Sequence, residues 1–218
     1  MKLSRKEREQ RFRADLVLEV AEGVFAKHGF RSTSVEEIAT RAELSVGSLY
    51  NLFPSKEALF AAVVERRHDE LLAGLRNELT GEASPLRQLE RVTASTLSYF
   101  EQHEATFRLY LSATNGFLWN IRPTLGEWSF EKHLEFLKFV AGICREGMAK
   151  EGWPRSDPES LALVIVGMLN AFLTRWVTTE SGKPIGPRVR EAQVFMRRLV
   201  GVETAGSSNM PRTMSHRR

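Results

Sequence analysis

Apolar residues recur at helical spacing along this chain and are cut at short intervals by glycine, proline and capping hydroxyls, which restricts it to a string of helices. Leu16, Val17, Val20, Ala21, Val24 and Phe25 fall on one helical face, and Gly29 after His28 supplies a left-handed stop. Thr33-Ser34-Val35-Glu36 has capping-box spacing, the threonine hydroxyl covering an orphan amide and the glutamate reaching back. A two-turn face of Val35, Ile38, Ala39 and Ala42 follows. Ser45 is placed to cap a third helix carrying Leu49, Leu52 and Phe53, Pro54 ends it, and Ser55 caps a fourth from Lys56. Strict apolar–polar alternation is scarce, and no β-branched runs are joined by Asn-Gly or Asp-Gly, so the expected fold class is all-α.

Beyond residue 78 the helices lengthen. Gly81 and Pro85 break the chain, then Leu86, Leu89, Thr93, Thr96 and Phe100 form a stripe, followed by Phe107, Tyr110, Leu111 and Thr114. Asn115-Gly116 and Pro123 precede a helix over 127–149 with Trp128, Phe136, Phe139, Val140 and Ile143 inward. Trp153-Pro154 and Asp157-Pro158 introduce a very apolar helix over 158–179, and a last helix runs to Val202. This divides the chain into a basic arm (1–13), a helix-turn-helix unit (14–63), a larger helical domain (64–202) and a small, polar, basic tail (203–218) predicted to be disordered.

Hydrophobic residues at 42% and charged residues at 27% exclude the disordered and fibrous classes. The net charge of +4 hides a pattern: residues 1–13 carry six basic and two acidic side chains, residues 183–218 eight and two, and the middle is acidic. Basic ends on an acidic body suit an anionic partner, although solvated tails explain them equally simply. The single cysteine, Cys144, excludes a disulfide framework and a cysteine metal site. No apolar stretch follows the basic start, and the longest unbroken apolar run, 161–169, is short for a bilayer, so a soluble cytoplasmic protein without membrane partners is expected. No zinc-protease, nucleophile-elbow, phosphate-loop or dinucleotide motif occurs, so neither an enzyme nor a metal or cofactor is expected. His103-Glu104 and His133-x-Glu135 read as solvated helix surface.

Within residues 11–53 the second and third helices are joined by a very short turn, the outline of a helix-turn-helix whose second short helix enters the DNA major groove. That helix carries Ser45, Val46, Gly47, Ser48, Tyr50 and Asn51 with no acidic side chain. Gly47 permits close backbone approach, Ser48 suits several base edges, Val46 a thymine methyl, and Asn51 adenine or a phosphate. Lys56 adds an ammonium to the free amides of a helix start, where phosphate is favoured. On spacing alone this stands level with a small helical core in which Tyr50 packs and Lys56 is solvated.

Phe25-Ala26-Lys27-His28-Gly29-Phe30, then Thr33-Ser34-Val35-Glu36-Glu37-Ile38-Ala39, then the run from Ser45 through Tyr50-Asn51-Leu52-Phe53-Pro54-Ser55-Lys56 to Leu59 together resemble the DNA-binding domain of TetR-type transcriptional regulators over residues 13–63. The resemblance implies an all-helical homodimer, most often a repressor on an inverted-repeat DNA operator, whose larger helical domain dimerises and takes a small apolar or aromatic effector. It implies that Thr33 and Tyr50 bond phosphates with Ser34 and Ser45 beside them, that Val46, Gly47, Ser48 and Asn51 face bases, and that Lys56 pins the backbone. Two positions depart. Glu43 stands where glycine is usual in the turn, a cost of up to roughly 1 kcal/mol if it is left-handed. Leu52 stands where a histidine or tyrosine commonly reaches phosphate, a contact that the basic arm (Lys2, Arg5, Lys6, Arg8, Arg11, Arg13) is placed to replace.

In the helix 158–179, Leu161, Ile165, Met168, Phe172 and Trp176 share one broad face, and a helix apolar nearly all round needs cover on several sides. The resemblance pairs it and the last helix, with Val194, Phe195 and Leu199, with their copies in a four-helix dimer bundle, Gly167 and Ala171 allowing close approach. Phe100, Phe107, Tyr110, Leu111, Phe117, Trp119, Trp128, Phe136 and Val140 are candidates for an effector pocket, oriented by Asn115, Asn120 or Arg122, with a plain aromatic core as the competing account. Effector binding is expected to move the helix 127–149 and, through residues 59–64, the two recognition helices. The alternatives are a TetR-type activator and a helical protein-interaction adaptor without specific DNA binding.

Overall fold

The starts of the helices are set by local chemistry. The computed structural model describes residues 4–114 and 121–202, the side chains of Ala113 and Thr124 aside, and places no strand among them. Its helices are α1 (Arg5–Ser32), α2 (Val35–Arg41), α3 (Val46–Leu52), α4 (Lys56–Glu78), α5 (Pro85–Gln102), α6 (Glu104–Thr114), α7 (Ile121–Lys150), α8 (Pro158–Thr179) and α9 (Gly186–Leu199). Ser34, Ser45 and Ser55 accept amide hydrogen bonds from Glu37, Ser48 and Ala58 at 3.1, 3.1 and 3.0 Å, so α2, α3 and α4 each begin on a serine cap. The cap of α2 is thus Ser34 and not Thr33, whose hydroxyl donates instead to the Gly29 carbonyl at 2.7 Å. Gly29, at φ 75° and ψ 162°, breaks α1 close to its end. At the other end Ser4 and Glu7 form a reciprocal capping box, so Arg5, Lys6, Arg8, Arg11 and Arg13 form an exposed helical extension of α1. Lys2 and residues 203–218 lie outside the described residues.

Helices α1 to α3 and the first turns of α4 bury Val17, Ala21, Val24, Phe25, Ile38, Leu49, Leu59 and Val63 in one core. Leu109 of α6 and Ile121 and Leu125 of α7 close that same core. The division expected after residue 63 therefore falls inside α4 and within continuous packing. The second half of α4 leads into a larger core with α5, α7, α8 and α9.

The straight part of α7 follows Gly126, whose φ of 89° interrupts the helix where the sequence reading began it. Trp128 does not point inward as expected: it is 43% exposed, with the Lys132 ammonium 4.7 Å from its ring. Helix α8 is long and apolar enough in composition to cross a membrane, which its longest unbroken apolar run did not reveal. Here it packs against α5, α6, α7 and α9.

The turn after α7 depends on one glycine. A Cβ on Gly147 would overlap the buried Trp153 ring, whose Nε1 donates to Glu151 at 3.1 Å. Gly147→Ala is therefore expected to destabilise the fold by about 2 kcal/mol or more in a denaturant titration, because ring and helix cannot both keep their places. A midpoint indistinguishable from that of the parent would show that the ring swings aside freely.

Candidate DNA interface and effector cavity

The turn between α2 and α3 closes through bonds from Leu44 N to the Ala39 carbonyl, 2.9 Å, and from Glu43 N to the Thr40 carbonyl, 3.2 Å. This is the pattern of a Schellman stop, which demands a left-handed residue at Glu43. Glu43 has φ 55° and is the non-glycine residue with positive φ among those described. Glu43→Gly is expected to raise stability by up to about 1 kcal/mol, read as a small rise in melting temperature, because glycine relieves the Cβ clash. A fall would mean that the glutamate side chain makes a compensating contact.

The turn projects α3 outward. Gly47 and Asn51 are exposed, Tyr50 is 43% exposed, and Val46 and Ser48 are half-buried. The Ser45 and Ser48 hydroxyls lie 2.8 Å apart, so each orients the other. Ser48, Asn51, Leu52 and Leu44 form one wall of an open groove, and Lys6, Glu9, Gln10 and Arg13 of the α1 extension form the other. Its acidic member, Glu9, is paired with Arg13 at 2.8 Å.

Two residues expected at the DNA surface are engaged elsewhere. Thr33 is only 4% exposed and its hydroxyl is bonded to Gly29, so the side chain lacks the accessible oxygen that a phosphate contact requires. The Lys56 ammonium donates to the carbonyls of Arg31 and Thr33 at 3.3 and 3.1 Å and sits 4.8 Å from the Phe30 ring. It ties α4 to the end of α1, where unpaired carbonyls attract a cation.

Behind this domain lies a cavity built by five helices. Val64, Arg67, His68 and Leu71 come from α4, Thr96 and Phe100 from α5, and Thr106, Phe107 and Tyr110 from α6. His133 and Phe136 of α7 and Val166, Leu169 and Asn170 of α8 complete it. Of the residues expected to line a pocket, Phe100, Phe107, Tyr110 and Phe136 do so. Leu111 and Val140 pack in neighbouring cores, Trp128 faces solvent, and Phe117 and Trp119, like Asn115 and Asn120, lie outside the described residues. The space inside open to water is about 50 Å³, enough for a few water molecules.

The polar lining was not anticipated. His133 is buried, not solvated as the sequence suggested, because Ser129, His133, Phe136 and Val140 share the inward stripe of α7. His68 lies on the matching stripe of α4 with Val64, Leu71 and Leu75. Burial, reinforced by the neighbouring His133, pushes His68 down to about 4, and burial also lowers His133, so both imidazoles are uncharged at neutral pH. Burial likewise pushes the Tyr110 phenol up to about 12.

One carboxylate joins this cavity to the DNA-binding domain. Glu22 of α1 accepts from Arg67 Nε and Arg66 Nη2, both at 2.8 Å, and from the hydroxyl of Thr106. Burial alone would raise the Glu22 carboxyl, but the bonds from Arg67 and Thr106 and the two guanidinium charges hold it below the usual range. Arg67 and Thr106 are themselves cavity walls.

On the far side, Ile165 and Trp176 do not face outward as the dimer expectation required. Both are buried in the chain's own core, and Trp176 Nε1 donates to the Lys183 carbonyl at 2.7 Å. Leu161, Met168, Phe172 and Val194 are half-buried against that core, whereas Phe195 and Leu199 are exposed. Leu163 and Val164 of α8 are likewise exposed, at 50% and 51%, and sequence reasoning had passed over them.

The description "Bacterial regulatory proteins, tetR family" matches residues 17–63. The chain is 28% identical over 173 residues to the HTH-type transcriptional repressor KstR2 of Mycobacterium tuberculosis, covering 78% of this chain and 82% of that one. It is 26% identical over 134 residues to the HTH-type transcriptional regulator UidR of Escherichia coli K12, covering 62% and 65%. Among solved structures, the fatty acid degradation regulator FadR of Bacillus halodurans superposes with a TM-score of 0.73 at 16% identity, over 96% of this chain and 100% of that one. FadR of Bacillus subtilis in complex with stearoyl-CoA does so at 0.71 and 18%, over 87% and 99%. Residues 17–63 thus match the helix-turn-helix unit of the tetR family of bacterial regulatory proteins, and in this chain that unit is joined to a larger helical domain.

Proposed function

We propose that this protein is a cytoplasmic homodimeric repressor that binds an inverted-repeat operator and is released by a small, largely apolar effector held in the five-helix cavity. The observation that carries the effector-controlled part of this reading is Glu22, bonded at once to two cavity-wall residues and fixed in α1 of the DNA-binding domain. Drug-sized ligands occupy pockets of roughly 300–1,000 Å³, so an effector entering this narrow cavity must push its walls apart. The walls that yield are α4, α6 and α7, which also pack on the α1–α3 core through Leu59, Leu109, Ile121 and Leu125. Affinity for DNA falls only as far as the effector prefers the expanded state. That FadR of Bacillus subtilis, which shares this fold, was solved in complex with stearoyl-CoA supports a small-molecule effector.

In the same reading Gly47, Ser48 and Asn51 meet bases, while Tyr50, Ser34 and the basic helical extension meet phosphates. Leu163, Val164, Phe195 and Leu199 form the apolar face that joins two copies, since a two-fold protein matches a two-fold operator. The test is selection from a pool of random-sequence duplexes by the purified protein, followed by fluorescence anisotropy on the enriched duplex. An inverted repeat is expected to emerge, with affinity falling roughly a hundredfold or more between about 50 and 200 mM salt. No enriched sequence, or binding indifferent to salt, would favour the helical adaptor instead.

A further inference from the structure

The effector cavity has two chemically distinct parts. Phe100, Phe107, Phe136 and Leu169 make most of its wall apolar. Into this wall are set His68, Thr96 and His133, and each carries a buried polar atom without a partner: His68 Nδ1, the Thr96 hydroxyl and His133 Nε2. Thr96 and His133 are more than nine-tenths buried. A buried donor or acceptor left unmatched weakens a fold, so three around one cavity call for a matching group. Resting on the reading of this cavity as the effector site, we infer that it selects an uncharged, compact ring compound bearing a carbonyl or hydroxyl oxygen, received by His68, Thr96 and His133.

The charge assignment follows from what surrounds these atoms. Arg67, the cation in the cavity wall, is tied to Glu22 and Glu70. Glu22 in turn is matched by Arg66 and Arg67. Both imidazoles are held neutral by burial. Among the described residues a carboxylate entering here would find no free cation, and an ammonium no free anion, so either would be stripped of water without compensation. A neutral imidazole instead offers one donor and one acceptor, and a threonine hydroxyl offers both, which suits a ketone or an alcohol equally. Compactness is favoured because the water-accessible space is only about 50 Å³ and every added ring atom forces the walls further apart.

Four probes of one shape separate the possibilities: 1-indanone, 1-indanol, indane and indane-1-carboxylate, titrated into the full-length protein by calorimetry at neutral pH. The ketone and the alcohol are expected to bind about tenfold tighter than indane and the carboxylate. Thr96→Val and His133→Gln should each shrink that preference to about threefold or less, while Thr96→Ser, which keeps the hydroxyl, retains it. Two variants on different helices keep the test open should one of them fail to fold. Equal binding of indanone and indane, tighter binding of the carboxylate, no binding of any probe, or a preference untouched by both substitutions overturns the inference. Operator binding measured on the same preparations keeps the two readings apart. Discrimination among the probes without DNA binding refutes the regulator reading alone, and DNA binding without discrimination refutes the cavity chemistry alone.

Discussion

Glu22→Gln is expected to lower stability by about 2–3 kcal/mol, or on the order of 10 °C in melting temperature, although it changes one atom in a side chain remote from DNA. The parent carboxylate faces Arg66 and Arg67, all three side chains being largely buried, and also accepts from Thr106. The amide removes the negative charge and leaves two guanidinium groups short of a counter-charge in a poorly solvated place, with Glu70 matching only one of them well. The pH dependence has a definite sign. Because the folded-state carboxyl lies below its ordinary value of 4.5, its contribution is present above 4.5 and is lost as pH falls through the lower folded value. The gap between parent and variant should therefore be full at pH 7 and close as the solution is acidified below 4.5. Hydrogen exchange should rise first in α1 and α6, which Glu22 joins, and last in α8. A variant as stable as the parent at pH 7 would remove Glu22 as the link between cavity and DNA-binding domain.

Gly47→Ala is expected to separate stability from function. A Cβ at this position meets nothing within 4 Å in the chain, and the residue lies inside α3 without a positive φ. Alanine should therefore strengthen the helix by about 0.5–1 kcal/mol. In the proposed complex the same methyl stands where the backbone of α3 comes closest to the bases, and operator affinity should fall by roughly ten- to a hundredfold, about 1–3 kcal/mol. Anisotropy and thermal melting on one preparation give both numbers. Unchanged affinity beside a raised melting temperature would place the DNA contact elsewhere on α3.

The DNA-binding unit was readable in the residues because its determinants are local. The serine caps act across three residues, Gly29 and Glu43 act at a single φ, and the spacing of Val35, Ile38 and Ala39 writes one helical face directly into the chain. Even there, local reading did not show what two polar groups bond to within the chain. The Thr33 hydroxyl turns back to the Gly29 carbonyl four residues earlier, whereas the Lys56 ammonium is engaged only because α1 ends beside α4, 23 residues away in the case of the Lys56–Thr33 bond. The cavity was only half readable. Its aromatics stood out by type, but His133 read as a surface residue and His68 was not singled out until their stripes were aligned with the apolar positions of α4 and α7.

The sequence by itself determined that the chain is a string of capped helices, that a short capped helix follows a tight turn, and that no acidic group interrupts the face of that helix, since each of these rests on contacts within a few residues. Tertiary structure alone decided which side of α8 is covered, that Ile165 and Trp176 turn inward while Leu163 and Val164 stay exposed, and that Glu22 meets Arg67 and Thr106. The Glu22 bonds alone join side chains 45 and 84 residues apart. A helical repeat specifies a face, but not what that face will meet.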